Sequence, residues 1–301
     1  MKKIGLSLSN LQNMFGDKRA LEIAKQVGAD AVDFMTDKES TVKPESHFAK
    51  SDEEIVKYYT EIGEYAKELG LEINQTHGRL RICKNDPKLD KICLEDARRD
   101  LLAAKALGSK LCVMHGVATG AMGPETPAEV MRELNFEIFC KILVYAKQYG
   151  VRVATESLGD SPKYGCLDFF GSSTEFKNTF DRIKKECECA DHFTICIDTG
   201  HIHKASRFGQ PKVGDAIRMM GKNNITCLHL HDNDTFTDQH KPPFTGSIDW
   251  NDVFSALEEV EYDGVYNLEV HLPCFGKGFE IETAEFSVKL MRHALKQRYG
   301  E

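Results

Sequence analysis

The 301-residue sequence predicts one α/β domain, a (β/α)8 TIM barrel that spans residues 1–301. Three observations lead to this prediction. Short apolar runs alternate with amphipathic stretches, no Pro- or Ser-rich linker divides the chain, and no glycine-rich phosphate loop follows the first run. A doubly wound open sheet, the main alternative, usually carries such a loop after its first strand. The sequence therefore favours the closed barrel.

The apolar runs predict eight strands, and the stretches between them predict helices. The strands are expected at residues 3–8, 30–35, 71–77, 110–115, 151–157, 193–198, 225–231 and 265–271. The intervening stretches repeat apolar residues at three- and four-residue spacing, which is typical of helices packed on a sheet. Several end in a glycine just before the next strand, where a helix terminus favours positive φ. These glycines are Gly28, Gly70, Gly108 and Gly150.

Composition excludes several classes of protein. The net charge of -8 disfavours a protein that binds a nucleic-acid backbone. No segment approaches the ~20 apolar residues needed to cross a bilayer, and the first residues lack the pattern of a signal peptide. The ten cysteines are scattered, many of them in apolar runs, so we expect free thiols in a cytoplasmic protein. Association into a homo-oligomer is compatible with this composition.

Histidines and carboxylates cluster where the predicted strands end, the edge at which barrel active sites form. Glu156, Asp198 and Glu269 lie at three such ends. Eight of the eleven histidines lie at or just past strand ends, namely His77, His115, His201, His203, His229, His231, His240 and His271. Converging carboxylates are costly without a cation, and carboxylate and imidazole groups are common ligands of divalent metals. The pattern predicts a divalent metal site at this end of the barrel.

The individual residues have simpler interpretations. A single histidine at a strand end is more often a structural hydrogen-bonding residue, and Glu156 alone could interact with a helix N-terminus. The convergence of several such groups favours the metal site. His229 and His231 share one face of their strand, so one of them could bind the metal while the other makes a supporting or substrate contact.

Four segments of the sequence resemble the xylose-isomerase-like barrel superfamily. They are ATESLGD at 154–160, CIDTGHIHKA at 196–205, HLHDNDTFTDQHKPPFTGSIDW at 229–250 and NLEVHLP at 267–273. The third segment is the most specific, because it resembles the superfamily pattern HxHDNDGxxDxHxxPGxGxIDW. This group includes sugar isomerases and epimerases, inosose isomerases and dehydratases, and abasic-site nucleases of the endonuclease IV type.

The resemblance implies a metal-dependent isomerase or epimerase of a small sugar or polyol, phosphorylated or not. It implies that one divalent ion is bound by Glu156, Asp198, His231 and Glu269. Mn²⁺ is the first candidate, and Mg²⁺, Co²⁺ and Zn²⁺ are the alternatives. By the same resemblance, Glu156 and Glu269 would move the proton. The substrate would contact His77, His115, His201 and Phe244.

An endonuclease IV-like nuclease is the main alternative. By this resemblance, two further zinc ions would be held by His77, His115, His201, Asp238 and His240. The acidic balance disfavours this activity, as does the lack of a basic, aromatic-interleaved segment after strands one to three. Arg79, Arg81 and Lys84 form a modest cationic group that would equally suit a phosphorylated or acidic sugar.

Two departures from the family pattern leave further alternatives. Phe244 replaces a glycine beside the site, where it could narrow the pocket or stack on a ring. Thr237 occupies the position at which ketose 3-epimerases carry an arginine, which disfavours a simple ketose epimerase. An inosose dehydratase-like lyase and a subunit of a glycoside-processing complex remain alternatives. The loop 36–54 and the insert 157–172 would then serve as lids or interfaces, with Phe169 and Phe170 in the second.

Overall fold

The computed structural model describes residues 2–300 and contains an eight-stranded parallel sheet in the order β10-β1-β2-β3-β4-β5-β8-β9. Leu230, just beyond β9, forms a parallel bridge with Leu268 of β10. This bridge joins the two edge strands and closes the sheet into a barrel. The predicted TIM barrel is confirmed, and each predicted strand is present. The strands are β1 Ile4–Ser7, β2 Ala31–Met35, β3 Glu72–His77, β4 Leu111–Met114, β5 Arg152–Glu156, β6 Asp160–Ser161, β7 Cys166–Leu167, β8 Phe193–Asp198, β9 Ile225–His229 and β10 Tyr266–Leu268.

Helices surround the barrel and bury their apolar faces against it. They are α1 Ser9–Phe15, α2 Asp17–Gln26, α3 Asp52–Glu68, α4 Pro87–Ala106, α5 Thr119–Met122, α6 Ala128–Tyr149, α7 Ser173–Glu186, α8 Thr199–Ser206, α9 Val213–Met220, α10 Trp250–Glu259 and α11 Glu280–Tyr299. Gly28, Gly70, Gly108 and Gly150 have φ between +69° and +87°, as the helix-end pattern predicted. No helix among residues 2–300 is both long and apolar enough to cross a membrane.

A layer of small side chains lies beneath the polar strand ends. Ala154, Cys196 and Cys227 are fully buried and pack together with Val113. Each of the first three lies two residues before a polar residue at a strand end, so it points to the same face of the sheet. This alternation directs Glu156, Asp198 and His229 into the interior of the barrel above that layer. All ten cysteines, which lie within the described residues, are free thiols.

The insert after β5 contributes to the core rather than forming a lid of aromatic residues. It folds as the short antiparallel pair β6 and β7, followed by a 3₁₀ turn over Phe169–Gly171. Phe170 is 2% exposed and its ring lies 5.1 Å from that of Phe176. A Cβ on Gly116 would lie 2.2 Å from the Phe170 ring. The expectation that Phe169 and Phe170 cover the site is therefore wrong, because both side chains fill the space between the insert and the helices.

Replacing Phe170 with alanine should lower the free energy of unfolding by about 3–5 kcal/mol, because it leaves a cavity in this packing. The matched variant Phe236→Ala removes a side chain that is 69% exposed. It should change stability by no more than about 0.5 kcal/mol. Urea denaturation of the two variants measures the difference, and equal stabilities would contradict the assignment of Phe170 to the core.

Candidate metal centre

The carboxylate of Glu156 lies at the centre of a ring of imidazoles. Glu156 ends β5 and is 1% exposed. Its Oε2 lies 3.0 Å from His115 Nε2 and 3.3 Å from His77 Nε2. Its Oε1 lies 3.2 Å from His201 Nδ1 and 3.3 Å from His229 Nδ1. Residues from four strand ends thus direct nitrogen atoms towards one buried carboxylate.

Backbone carbonyls determine the tautomer of three imidazoles in this region. In each, Nδ1 lies within hydrogen-bond distance of a carbonyl, so Nδ1 carries the proton and the neutral ring keeps a lone pair on Nε2. The pairs are His77 with Gly78 at 3.2 Å, His201 with Ser157 at 3.2 Å, and His240 with Glu269 at 2.9 Å. Each Nε2 faces a carboxylate oxygen at 3.3–3.4 Å. A nitrogen and an oxygen lone pair that face each other at this distance require a cation, either a proton or a metal ion.

The first candidate ligand group consists of Glu156, Asp198, His229 and Glu269. Their ligand atoms all lie within 4.8 Å of one another. Bonds of about 2.0–2.2 Å to an ion such as zinc would bring opposite ligand atoms slightly closer than this, so small inward movements would suffice. Glu156 Oε2 and His229 Nδ1 are buried, and none of their close contacts has hydrogen-bond geometry, which is uncommon for polar atoms. The donor set therefore fits a divalent metal ion.

The histidine grouped with these carboxylates is His229, whereas the resemblance implied His231 as the metal ligand, so the choice between the two histidines stays a prediction. His229 ends β9, and its Nδ1 lies 3.4 Å from Glu269 Oε2. His231 lies on the same side but beyond the end of the strand. Its Nε2 lies 2.9 Å from Asp198 Oδ1, and its ring stacks on His240 with 3.7 Å between centroids. The two-residue offset moves His231 one layer further out along the barrel axis.

His231 is part of a second candidate ligand group with His201, Asp238 and His240. Asp238 Oδ2 lies 3.4 Å from Nε2 of His201 and 3.4 Å from Nε2 of His240. Asp198 links this group to the first, because its two oxygens face His231 and His229. A third, overlapping set comprises His77, Glu156 and His229. The candidate residues therefore form one continuous cluster with more than one place for a cation.

The loop after β9 holds Asp238 and His240 in place because Asp232 anchors it. Asp232 is fully buried, and its Oδ1 accepts a hydrogen bond from the Ile248 backbone at 3.1 Å. Its Oδ2 accepts one from Trp250 Nε1 at 2.8 Å. A Cβ on Gly246 would lie 2.3 Å from Asp232 Oδ1, so glycine is required there. The HDND and IDW parts of the sequence pattern thus build the loop.

Gly200 makes room for the imidazole of His231. A Cβ at this position would lie 2.0 Å from His231 Cε1, far inside any allowed contact. The Gly200 carbonyl also accepts a hydrogen bond from Asn233 Nδ2 at 2.9 Å, which ties α8 to the loop after β9. His240, in the same loop, has φ +44°, an uncommon conformation for a residue with a side chain. Such backbone strain concentrates at functional sites.

Opposite charges within the cluster offset the cost of burial. Burial lowers the pKa of His77, but the Glu156 carboxylate outweighs it and raises that pKa to about 9. Burial also lowers the pKa of His240, while Asp238 and Glu269 raise it to about 9. Burial raises the pKa of Glu156, yet His229 and His115 hold it well below its usual range. Glu156 is therefore an ionised carboxylate at neutral pH, the form that binds a cation.

Asp33 supports His229 from the side opposite Glu156. It is 1% exposed, and its Oδ2 lies 3.1 Å from His229 Nε2 and 3.2 Å from Gln75 Nε2. His229 Nε2 could either donate a hydrogen bond to the Asp33 carboxylate or accept one from the Gln75 amide. The bond to the carboxylate is charge-assisted and therefore stronger, so the geometry favours a proton on Nε2. His229 Nδ1 then directs its lone pair towards the carboxylates of Glu156 and Glu269. Carboxylates that orient a ligating histidine in this way are common around metal sites.

A cavity of about 710 Å³ opens beside the cluster, and His115, His201 and Asp238 lie in its wall. Phe244, predicted to contact substrate, is not among the lining residues. Its ring lies 5.2 Å from that of Trp250 and it is 41% exposed. The loop that carries Phe244 thus turns it towards Trp250 rather than towards the cavity.

Three other side chains singled out by the sequence lie apart from the cluster. Arg79 is buried and donates to Asp100 at 2.6 Å, so its charge is already paired. His203 lies 2.8 Å from Ser247 Oγ, and His271 is exposed. The expected cationic group is therefore reduced to Arg81 and Lys84, both of which line the cavity.

The sequence matches a family of known proteins over most of its length. The model of the family described as Xylose isomerase-like TIM barrel matches residues 21–293. The chain belongs to this family. The chain is also similar to the "probable endonuclease 4" of Clostridium botulinum, with 24% identity over 99% of the chain and 100% of that protein.

Solved structures share the architecture of this xylose isomerase-like barrel. The IolI protein with a zinc atom has a TM-score of 0.74 and 18% identity, and the match covers 98% of both chains. The 3-keto-D-glucoside 4-epimerase from E. coli has a TM-score of 0.70 and 16% identity, covering 97% of this chain and 100% of that one. A D-tagatose 3-epimerase-like protein has a TM-score of 0.71 and 19% identity, covering 98% and 97%. At these identities the likeness shows the fold.

Replacing Asp33 with asparagine should weaken the binding of Mn²⁺ by about 10- to 100-fold, because a neutral amide orients His229 less strongly. The matched variant Asp215→Asn changes a carboxylate on α9 whose side chain is 65% exposed, and it should bind Mn²⁺ like the wild type. Calorimetric titration measures both affinities, with circular dichroism as a check of folding. A folded Asp33→Asn protein with wild-type affinity would contradict the role of Asp33.

Proposed function

We propose that this protein is a metal-dependent isomerase or epimerase of a small sugar or polyol. The observation that carries the proposal is the placement of two glutamates on either side of Asp198 and His229. Glu156 follows β5 and Glu269 follows β10, while β8 and β9 lie between these strands in the barrel. Two carboxylates that flank a cation site can serve opposite faces of one bound carbon.

The chemistry would be the transfer of a proton at a carbon next to a carbonyl or hydroxyl group. One glutamate removes the proton, the electron pair of the broken C–H bond moves into an enediolate-type intermediate, and the other glutamate returns a proton to carbon. A divalent ion held by Glu156, Asp198, His229 and Glu269 would polarise the neighbouring substrate oxygens and stabilise their developing charge. Mn²⁺ is the first candidate for the mixed carboxylate and imidazole ligands, and zinc is the second.

The burial of the two glutamates favours different tasks. Glu156 is enclosed by four imidazoles, whereas the Glu269 side chain is 15% exposed and contacts His229 and His240 more loosely, at 3.4 and 3.7 Å. Glu269 therefore has more freedom to approach a substrate carbon. His115 and His201 lie in the cavity wall, where they could contact substrate oxygens. An inosose dehydratase-like lyase would begin with the same proton removal and differ in the group that leaves.

Exchange of carbon-bound hydrogen with solvent tests this proposal. The metal-loaded protein should exchange the hydrogen of a ketose or inosose substrate with D₂O. Glu269→Gln and Glu156→Gln should each abolish exchange, because an amide cannot accept the proton. Proton NMR of a substrate panel in D₂O measures the reaction, and Glu282→Gln on α11 is the surface control. Exchange that persists in both active-site variants would overturn the mechanism.

An abasic-site nuclease is the second candidate, and the second ligand group favours it. His201, His231, Asp238 and His240 could hold an ion separate from the first, and His77, Glu156 and His229 offer a further overlapping set. The C. botulinum relative named a probable endonuclease 4 aligns over nearly the whole chain. The net charge of -8 weighs against a protein that must hold a DNA backbone.

Metal content distinguishes the two candidates. An isomerase using only the first group should contain about one metal ion per chain, whereas a nuclease using all three sets should contain about three. Elemental analysis of the purified protein gives this ratio, and incubation with an abasic-site duplex gives the activity. About three ions per chain together with strand cleavage would overturn the isomerase proposal in favour of the nuclease.

A further inference from the structure

The cavity beside the candidate metal centre has a strongly uneven distribution of charge. Its inner wall includes Asp238 and lies against the carboxylate-rich cluster around Glu156. Four cationic side chains line the rest of it: Arg81, Lys84, Lys163 and Lys204. They come from the loops after β3 and β5 and from α8. Asp160 and Asp168 also line the cavity, so four cations face three carboxylates there, whereas the whole chain has a net charge of -8.

The cations at the mouth of the cavity are not neutralised by the protein. Arg81 and Lys84 are exposed, and neither forms an ion pair with any carboxylate among residues 2–300. Lys163 lies 4.7 Å from the centre of the Tyr164 ring and likewise has no carboxylate partner in the described chain. Unpaired cations facing a cavity attract an anionic ligand and raise its local concentration.

Lys204 adds a buried ammonium group to this wall. It is only 4% exposed, and its Nζ lies 2.8 Å from Asp160 Oδ1 and 4.0 Å from Asp238 Oδ1. Asp160 is also paired with Arg207, so two cations share this one carboxylate. With Asp238 nearby, the charges of these two cations are balanced by two carboxylates. A buried lysine retained beside a cavity, one helical turn from His201, indicates a built binding wall rather than a solvated surface.

The other carboxylates of the cavity are already engaged. Asp168 is 4% exposed and accepts hydrogen bonds from the backbone N–H groups of Thr119 at 2.9 Å and Phe170 at 3.2 Å. Asp238 faces His201 and His240, as described above. Neither carboxylate is within ion-pair distance of Arg81, Lys84 or Lys163 in the described residues. The outer cations are thus available to a ligand.

The geometry points to a substrate that carries an oxyanion, a phosphate or a carboxylate, at the end remote from the reacting carbon. This inference rests on the proposed isomerase or epimerase function for the reacting end. The polyol end would lie against Glu156, Glu269 and the imidazoles, and the anionic end against Arg81, Lys84, Lys163 and Lys204. A cavity of about 710 Å³ is within the size range of small-molecule sites. The neutral sugars acted on by an epimerase would leave Arg81, Lys84 and Lys163 without a partner.

Binding of two simple anions tests the inference without turnover. Inorganic phosphate and sodium gluconate are titrated calorimetrically into the protein as purified, with its metal content measured, and neutral xylitol serves as the uncharged probe. At least one anion should bind, and Arg81→Gln/Lys84→Gln should weaken its binding by about tenfold, because hydrogen bonds to charged groups contribute on that scale. The anion that loses more affinity identifies the substituent as phosphate or carboxylate.

The matched control is Lys147→Gln/Lys185→Gln, which removes two exposed lysines near the C-terminal ends of α6 and α7. These helix ends precede strands, so they lie at the opposite end of the barrel, and the control should bind both anions like the wild type. Anions held only by a metal ion would bind the Arg81/Lys84 variant unchanged, which would overturn the inference. Failure of both anions to bind the wild type would also overturn it. The anion titrations need no turnover, whereas the proposed isomerase function is tested by proton exchange, so the two proposals fail separately.

Discussion

The buried carboxylate of Glu156, within 3.0–3.3 Å of four imidazoles, is the contact around which the site is organised. An ionised carboxylate at this depth is expensive unless positive charge surrounds it. The barrel supplies that charge from several directions, because each strand ends at the same rim. Backbone carbonyls set the tautomers of His77, His201 and His240, so the Nε2 atom of each of these rings faces a carboxylate. The arrangement is stable only with protons or metal ions among these groups.

Residues outside the candidate ligand groups hold this cluster in place. Ala154, Cys196 and Cys227 form a floor of small side chains beneath it. Asp232 fixes the ends of the loop that carries Asp238 and His240, and Gly200 leaves the space that His231 occupies. Asp33 bonds the far nitrogen of His229. The precision of the site therefore depends on residues that supply no ligand themselves.

Much of this organisation could be predicted from the sequence, because it depends on local periodicity. The eight strands, the helix-ending glycines and the rim position of Glu156, Asp198 and Glu269 follow from patterns of two and 3.6 residues. The grouping of His229, rather than His231, with the three carboxylates could not be predicted, since both histidines point to the same side of β9. Only the depth of each residue along the barrel, which depends on strand stagger, separates them.

Other sequence-based expectations depended on which charges and rings the fold brings together. Phe169 and Phe170 look like lid residues in a loop, but the insert folds back and buries them. The sequence predicts Arg79 as part of a cationic group, but the structure pairs it with Asp100, which lies 21 residues away in the sequence. Asp33 gave no signal, because a single acidic residue in an apolar strand shows nothing about its partner 196 residues away. These contacts are long-range, and a local pattern carries no information about them.

The most direct test of this account is the location of bound metal by anomalous X-ray diffraction from crystals grown with Mn²⁺. The account predicts an anomalous peak bonded to His229 Nδ1 and to the carboxylates of Glu156, Asp198 and Glu269. A peak bonded to His231 in place of His229, or crystals with no peak among these four side chains, would contradict it.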